Sequence, residues 1–175
     1  AGECFDKVAR VLGIGYPGGA PMDRLSRTGD AGRYAFPRVQ VHDAPLDMSF
    51  SGLKTAAINL IHNARQKEEA LDLPSLAASF SAAVSDMLVP RVMEAARRCG
   101  RRKVAVAGGV AANSHIRADL EAACAAAGCR LYLPPLSLCG DNGAMIGCQA
   151  YYEYLAGHTA DMALNAYANR DIAKG

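Results

Sequence analysis

No two of the six cysteines form a Cys-x-x-Cys pair, no apolar run approaches the roughly 20 residues of a membrane span, and the net charge is only +2 over 175 residues. The cysteines sit mostly beside alanines at apolar helical positions, so they read as small core residues in a reducing compartment. The small net charge argues neither for nor against a nucleic-acid partner. Also missing are the Gly-Lys-Ser/Thr of a P-loop, the spaced third glycine of a dinucleotide fold and a His-Glu-x-x-His metal motif. His42, His62, His115 and His158 include no pair four apart on a helix face.

What is present is a chain that is 51% hydrophobic and long enough for one domain with a sizeable core. Its most informative stretch is 104–113, Val-Ala-Val-Ala-Gly-Gly-Val-Ala-Ala-Asn. An apolar run ended by Gly108-Gly109 predicts a strand covered on both faces. Ile116, Leu120, Cys124 and Ala127 then predict a helix closed by Gly128. Two glycines at a strand-to-helix turn leave no Cβ between backbone and ligand, and the new helix offers unpaired N–H groups to an anion. They equally suit a plain tight connection. A second strand at 130–133, stopped by Pro134-Pro135, precedes a helix from about Gly140 to Tyr154. Two successive βα units imply parallel neighbours whose ends share one edge, so Asn113 and Asp141 are expected to converge.

Elsewhere, 1–12 is an amphipathic helix stopped by Gly13, in which Asp6 and Arg10 are spaced for a surface ion pair. Tyr16-Pro17-Gly18-Gly19 is a rigid turn, and Pro21 opens a short helix holding Asp23. Residues 28–47 read as loop, with one possible edge strand at 34–41 that Pro37 weakens. Ser51, a helix cap by preference, could instead join Gly52 and Lys54 at a phosphate; that helix should end near Asn63. The long pattern at 73–99 should kink before Pro90. Arg97, Arg98, Arg101, Arg102 and Lys103 cluster at the strand edge opposite the proposed site, which argues against their touching RNA at the catalytic face. Beyond residue 157 a loosely held tail has Leu164 and Tyr167 as docking points. The start at Ala1-Gly2-Glu3, without an initiator methionine, and the scarcity of strands lead us to expect a piece of a longer protein whose other strands complete the sheet.

Five pieces, in order, carry a resemblance. They are Ala-Gly-Glu-Cys-Phe-Asp-Lys-Val-Ala-Arg (1–10), Tyr-Pro-Gly-Gly (16–19), Ser-Phe-Ser-Gly-Leu-Lys-Thr-Ala (49–56), Ala-Gly-Gly-Val-Ala-Ala-Asn (107–113) and Cys-Gly-Asp-Asn-Gly-Ala-Met-Ile (139–146). Together they resemble the tRNA threonylcarbamoyl-adenosine transferase family, long known as O-sialoglycoprotein endopeptidase. The resemblance implies an α/β fold, the C-terminal part of an actin-like, ribonuclease-H-like ATPase domain, helix-rich with a short parallel sheet. A helical insertion is expected at about 48–99.

The implied activity moves a threonylcarbamoyl group from threonylcarbamoyl adenylate to the adenosine next to the tRNA anticodon. By resemblance Asp6, Gly19, Asp23 and Asn113 contact the nucleotide, and Asp141 is one ligand of an iron or zinc ion whose two histidine ligands lie outside this sequence; no catalytic acid or base is identified. Implied partners are tRNA, an inactive paralogous subunit and a small ATPase subunit, in the cytoplasm and without a membrane. The family's first glycine loop is also outside the sequence, Gly140 and Gly143 replace a hydroxyl residue and an alanine common in relatives, and Pro90 is unusual. The chain alone is therefore expected to be inactive. Competing readings are a metalloprotease, a non-catalytic nucleotide-binding scaffold, and an O-carbamoyltransferase acting on a small molecule.

Overall fold

Helical spacing of apolar residues dominates the first hundred positions, and they fold as four helices around one core. The computed structural model describes residues 1–166, which fall into two units, 1–141 and a unit beginning at Asn142. In the first unit, α1 (Gly2–Leu12) buries Phe5 and Val8 and stops at Gly13, whose φ of 77° suits glycine. α2 (Gly19–Ser26) follows a cis Tyr16–Pro17 bond, and α3 (Ser51–Gln66) and α4 (Leu73–Arg98) complete the group. The Asp72 carboxylate caps α4, accepting from the Ser75 amide at 3.2 Å and its hydroxyl at 2.7 Å. Pro74 occupies the first turn, where an N–H would have no helical partner.

Phe80, in the first third of α4, is fully buried and meets Phe5 edge-on at 5.2 Å and Phe36 at 5.7 Å. Met22, Leu53, Leu76, Met87, Ile116 and Leu120 fill the space around it. By length and composition α4 could cross a bilayer, but 61% of that apolar window is buried inside the chain, as in a core helix. It continues past Pro90 to Arg98.

The possible edge strand at 34–41 does not form. Its backbone groups are taken by α4 side chains instead: Ser79 Oγ accepts from the Tyr34 amide at 3.1 Å, and Arg91 donates to the Val39 carbonyl at 3.0 Å. Pro37 has no donor to offer a ladder. Nor does Ser51 cap α3, which begins without a side-chain cap and runs past Asn63 to Gln66. Lys54 reaches Glu3 at 3.9 Å, and a Cβ at Gly52 would stand 2.9 Å from Val39 Cγ2.

β1 (Lys103–Ala105) and β2 (Arg130–Tyr132) are parallel, with Lys103 opposite Arg130 and Ala105 opposite Tyr132. Between them α5 (Ser114–Ala126) forms the crossover, and Gly128 follows its end with φ 63°. The expected cover on both faces is present on one. Val104 packs on Ala96 of α4 and Cys124 of α5, whereas Lys103, Ala105, Arg130 and Tyr132 are exposed. A three-residue strand has one inward position, so an apolar run alone did not show how many faces were covered.

In the second unit α6 (Gly143–Leu155) is capped by Asn142, which accepts from the Met145 amide at 2.9 Å. None of its residues is buried. Leu164 is 76% exposed, and Tyr167 lies outside the described residues. Cys4, Cys124 and Cys139 are core residues, but Cys99 and Cys148 are exposed and Cys129 half-buried; all six thiols are free.

Candidate functional site

Asp6 is not used for the surface ion pair its spacing allows. Its Oδ1 accepts the Gly18 amide at 2.7 Å, just before α2, and the Arg10 guanidinium lies over the Tyr16 ring, 5.7 Å from its centroid. The two adjacent glycines divide their work. A Cβ at Gly18 would stand 2.4 Å from Ala9 Cβ and 2.9 Å from the Phe5 carbonyl, so α1 and α2 can close only on glycine there. A Cβ at Gly19 would meet nothing within 4 Å, which leaves exposed backbone for a ligand to approach. Beside Asp6 lies a cavity of about 250 Å³ lined also by Glu3, Lys7, Arg10 and Tyr16. The sequence reading singled out Asp6 alone. Positions 3, 6, 7 and 10 share one helix face, a signal that could have found the others.

Asp23 is buried, and both of its oxygens are engaged. Oδ1 accepts the Ser114 amide at 2.6 Å and the Ser114 hydroxyl at 2.7 Å; Oδ2 pairs with Arg27 at 2.8 Å. Next to it Asn113 Oδ1 caps α5 by accepting the Ile116 amide at 3.0 Å. The expectation that this helix offers free N–H groups to an anion is therefore corrected at Ser114 and Ile116, where the protein supplies its own acceptors. Asn113 is 6% exposed, and its side-chain N–H₂ has no partner among the described residues. That donor is available to a ligand.

Burial by itself would push the Asp23 carboxyl up. The hydrogen bonds from Ser114 and Arg27 outweigh it and hold the group below the ordinary carboxylate range. A folded-state pKa below the unfolded value stabilises the fold above the unfolded pKa, and the benefit is lost as pH falls through the folded one. Wild type should thus lose stability more steeply than Asp23→Asn below about pH 4, as read by urea midpoints across an acid series.

The glycine turn also differs from the expectation. Gly108, at φ 86°, leads into a 3-10 turn, Gly109–Ala112, rather than directly into a helix. Arg117, in the first turns of α5, ties the two strand ends together. It donates to the Ala111 carbonyl at 2.8 Å and to the Pro134 carbonyl at 3.2 and 3.3 Å, and lies 3.8 Å from Cys139 Sγ. One guanidinium thus binds the loop before Asn113 and the loop before Asp141. Sequence reasoning missed it, because an arginine on an amphipathic helix reads as a solvated charge.

Asp141 is exposed and makes no hydrogen bond or ion pair among the described residues. No three of His, Cys, Asp or Glu among those residues stand close enough to hold a metal ion. Asp141 offers one hard oxygen donor, which does not make a metal centre without ligands from elsewhere.

The five residues lie along a bonded path: Asp6 to Gly18, beside Gly19; α2 to Asp23; Asp23 to Ser114, beside Asn113; and Arg117 across to the segment before Asp141. A larger cavity of about 610 Å³ between 38–45 and α4 shares none of them. There Arg38 is paired with Asp86 at 2.7 Å, and Arg91 is spent on backbone carbonyls.

Comparison with known proteins points in one direction. The family model for tRNA N6-adenosine threonylcarbamoyltransferase matches residues 1–148. The protein of that name from Moorella thermoacetica is 49% identical over 166 residues, which are 95% of this chain and 48% of that protein. The one from Clostridium botulinum (strain 657 / Type Ba4) is 45% identical over 174 residues, covering 99% and 51%. That from Staphylococcus saprophyticus is 47% identical over 171 residues, covering 98% and 50%. The chain spans about half the length of the curated relatives it matches.

Proposed function

The chain belongs to the tRNA N6-adenosine threonylcarbamoyltransferase family, and from that premise we propose that it supplies the nucleotide-holding side of an enzyme that transfers threonylcarbamoyl from its adenylate to adenosine in tRNA. Its helices and short parallel sheet then form the C-terminal part of an actin-like ATPase domain. The observation that carries the reading is the bonded path, which links four segments far apart in sequence in one unit.

In the reaction, the exocyclic amine of the adenosine attacks the carbamoyl carbon. A C–N bond forms, the C–O bond to the phosphate breaks, and AMP leaves as the amine gives up a proton. This chain's contribution is positioning. The free oxygen of Asp6 accepts from a ribose hydroxyl, the open backbone at Gly19 admits the nucleoside, and the Asn113 side-chain N–H₂ donates to it. Asp23 can still accept a hydroxyl, because a carboxylate has about four lone-pair sites and three hydrogen bonds are made here. An iron or zinc ion held by Asp141 and two histidines outside these residues would polarise the carbamoyl oxygen and the phosphate. The 175 residues alone are then inactive. Partners are tRNA, a paralogous subunit without activity and a small ATPase.

Asn113→Asp keeps the cap on α5 while removing the donor, and Asp141→Asn keeps shape while removing charge. In a protein of the relatives' length carrying this segment, each should lower transfer from threonylcarbamoyl adenylate to tRNA about 100-fold, some 2.7 kcal/mol. Normal turnover in both would remove the assigned site.

A further inference from the structure

The basic cluster at the end of α4 is split by the fold. Glu94 takes Arg97 with two hydrogen bonds of 2.7 Å and Arg98 with one, and these bonds hold its carboxyl at about 2. Arg101, Arg102 and Lys103 receive no acidic partner among the described residues. The sheet then adds a fourth cation, because the parallel register sets Arg130 directly opposite Lys103, and the Arg130 amide donates to the Arg102 carbonyl at 2.7 Å.

Arg130, too, has no acidic partner among the described residues, and like charges directly opposed on neighbouring strands repel. All four side chains are exposed. Two residues further on, Tyr132 is 41% exposed, with the Arg130 guanidinium 5.0 Å from its ring centroid. The chain leading into β1, with the paired first residues of the two strands, therefore carries four exposed cations without acidic partners among the described residues, and Tyr132 lies beside one of them.

We propose that Arg101, Arg102, Lys103 and Arg130 form a docking surface for the sugar-phosphate backbone of RNA, with Tyr132 as a platform for an unpaired base. Charge complementarity selects a polyanion, and the accessible ring selects a nucleic acid over an acidic polypeptide. The surface lies at the sheet edge opposite the nucleotide-holding loops, so it grips the RNA away from the reacting adenosine. Naming RNA rests on the proposed function, but the test does not depend on transfer.

The probe is unmodified tRNA binding to the 175-residue chain, measured between 50 and 200 mM salt. The triple variant Arg101→Ala/Arg102→Ala/Arg130→Ala should bind at least 10-fold more weakly, with a log–log salt slope reduced by about 2 to 3. The matching triple lysine variant should keep the slope, which separates lost charge from a damaged fold. Tyr132→Ala should weaken a single-stranded oligonucleotide about 10-fold and leave duplex RNA unchanged. Absence of tRNA binding by wild type, an unchanged slope in the triple alanine variant, or preferential binding of polyglutamate would each overturn the proposal.

Discussion

Gly29→Ala should cost the fold about 3 kcal/mol or more, enough to unfold much of the population. A Cβ at that position would stand 2.1 Å from both the carbonyl carbon and oxygen of Pro74 and 2.5 Å from the Ser75 nitrogen. These are backbone atoms in the first turn of α4, and they cannot swing aside as a side chain would. Asp72 grips Ser75 from one side, and the Ser75 hydroxyl accepts the Asp30 amide at 3.0 Å from the other. Relieving the clash means giving up the cap or separating the 29–36 segment from α4. Urea unfolding reads the loss directly, with Gly19→Ala as the contrast. At Gly19 no atom lies within 4 Å of the added methyl, and the change should stay within about 0.5 kcal/mol. Equal midpoints for Gly29→Ala and wild type would refute the contact.

The second large effect is at Phe80. Truncation to alanine should remove about 3 to 5 kcal/mol, since the ring is fully buried and its loss leaves a cavity between α4 and α1. Two edge-on ring pairs are lost as well, each worth about 0.5 to 1.5 kcal/mol beyond buried area. Phe80→Leu keeps much of the volume and should cost less than half as much. Because Phe5 is on the same helix as Asp6, the alanine variant should also loosen α1. Amide exchange in α1 would then accelerate more than in α5. A loss below about 1 kcal/mol would show that this ring is not central to the core.

Helices and their stops were open to reading because the information is local. The proline at 74, the glycines at 13 and 128 and the apolar spacing of 73–98 act within a few residues of where they stand. Contacts between distant segments were not. Nothing near Asp23 announces Ser114, nothing near Arg117 announces Pro134, and the different duties of Gly18 and Gly19 appear only when α1 lies beside them. The segment at 34–41 is loop, as read, but its partners were hidden for the same reason: nothing near Tyr34 or Val39 shows that Ser79 and Arg91 would reach them. At the candidate site, the motifs picked out residues. The architecture adds which of their atoms are already committed, and this separates the capping oxygen of Asn113 from its available nitrogen.

The link between Asp23 and Ser114 also bears on how this protein can drift. Two codons 91 positions apart specify halves of a single fastening. A lineage that alters one inherits a defect until the other changes to match, so the pair should be lost or kept together.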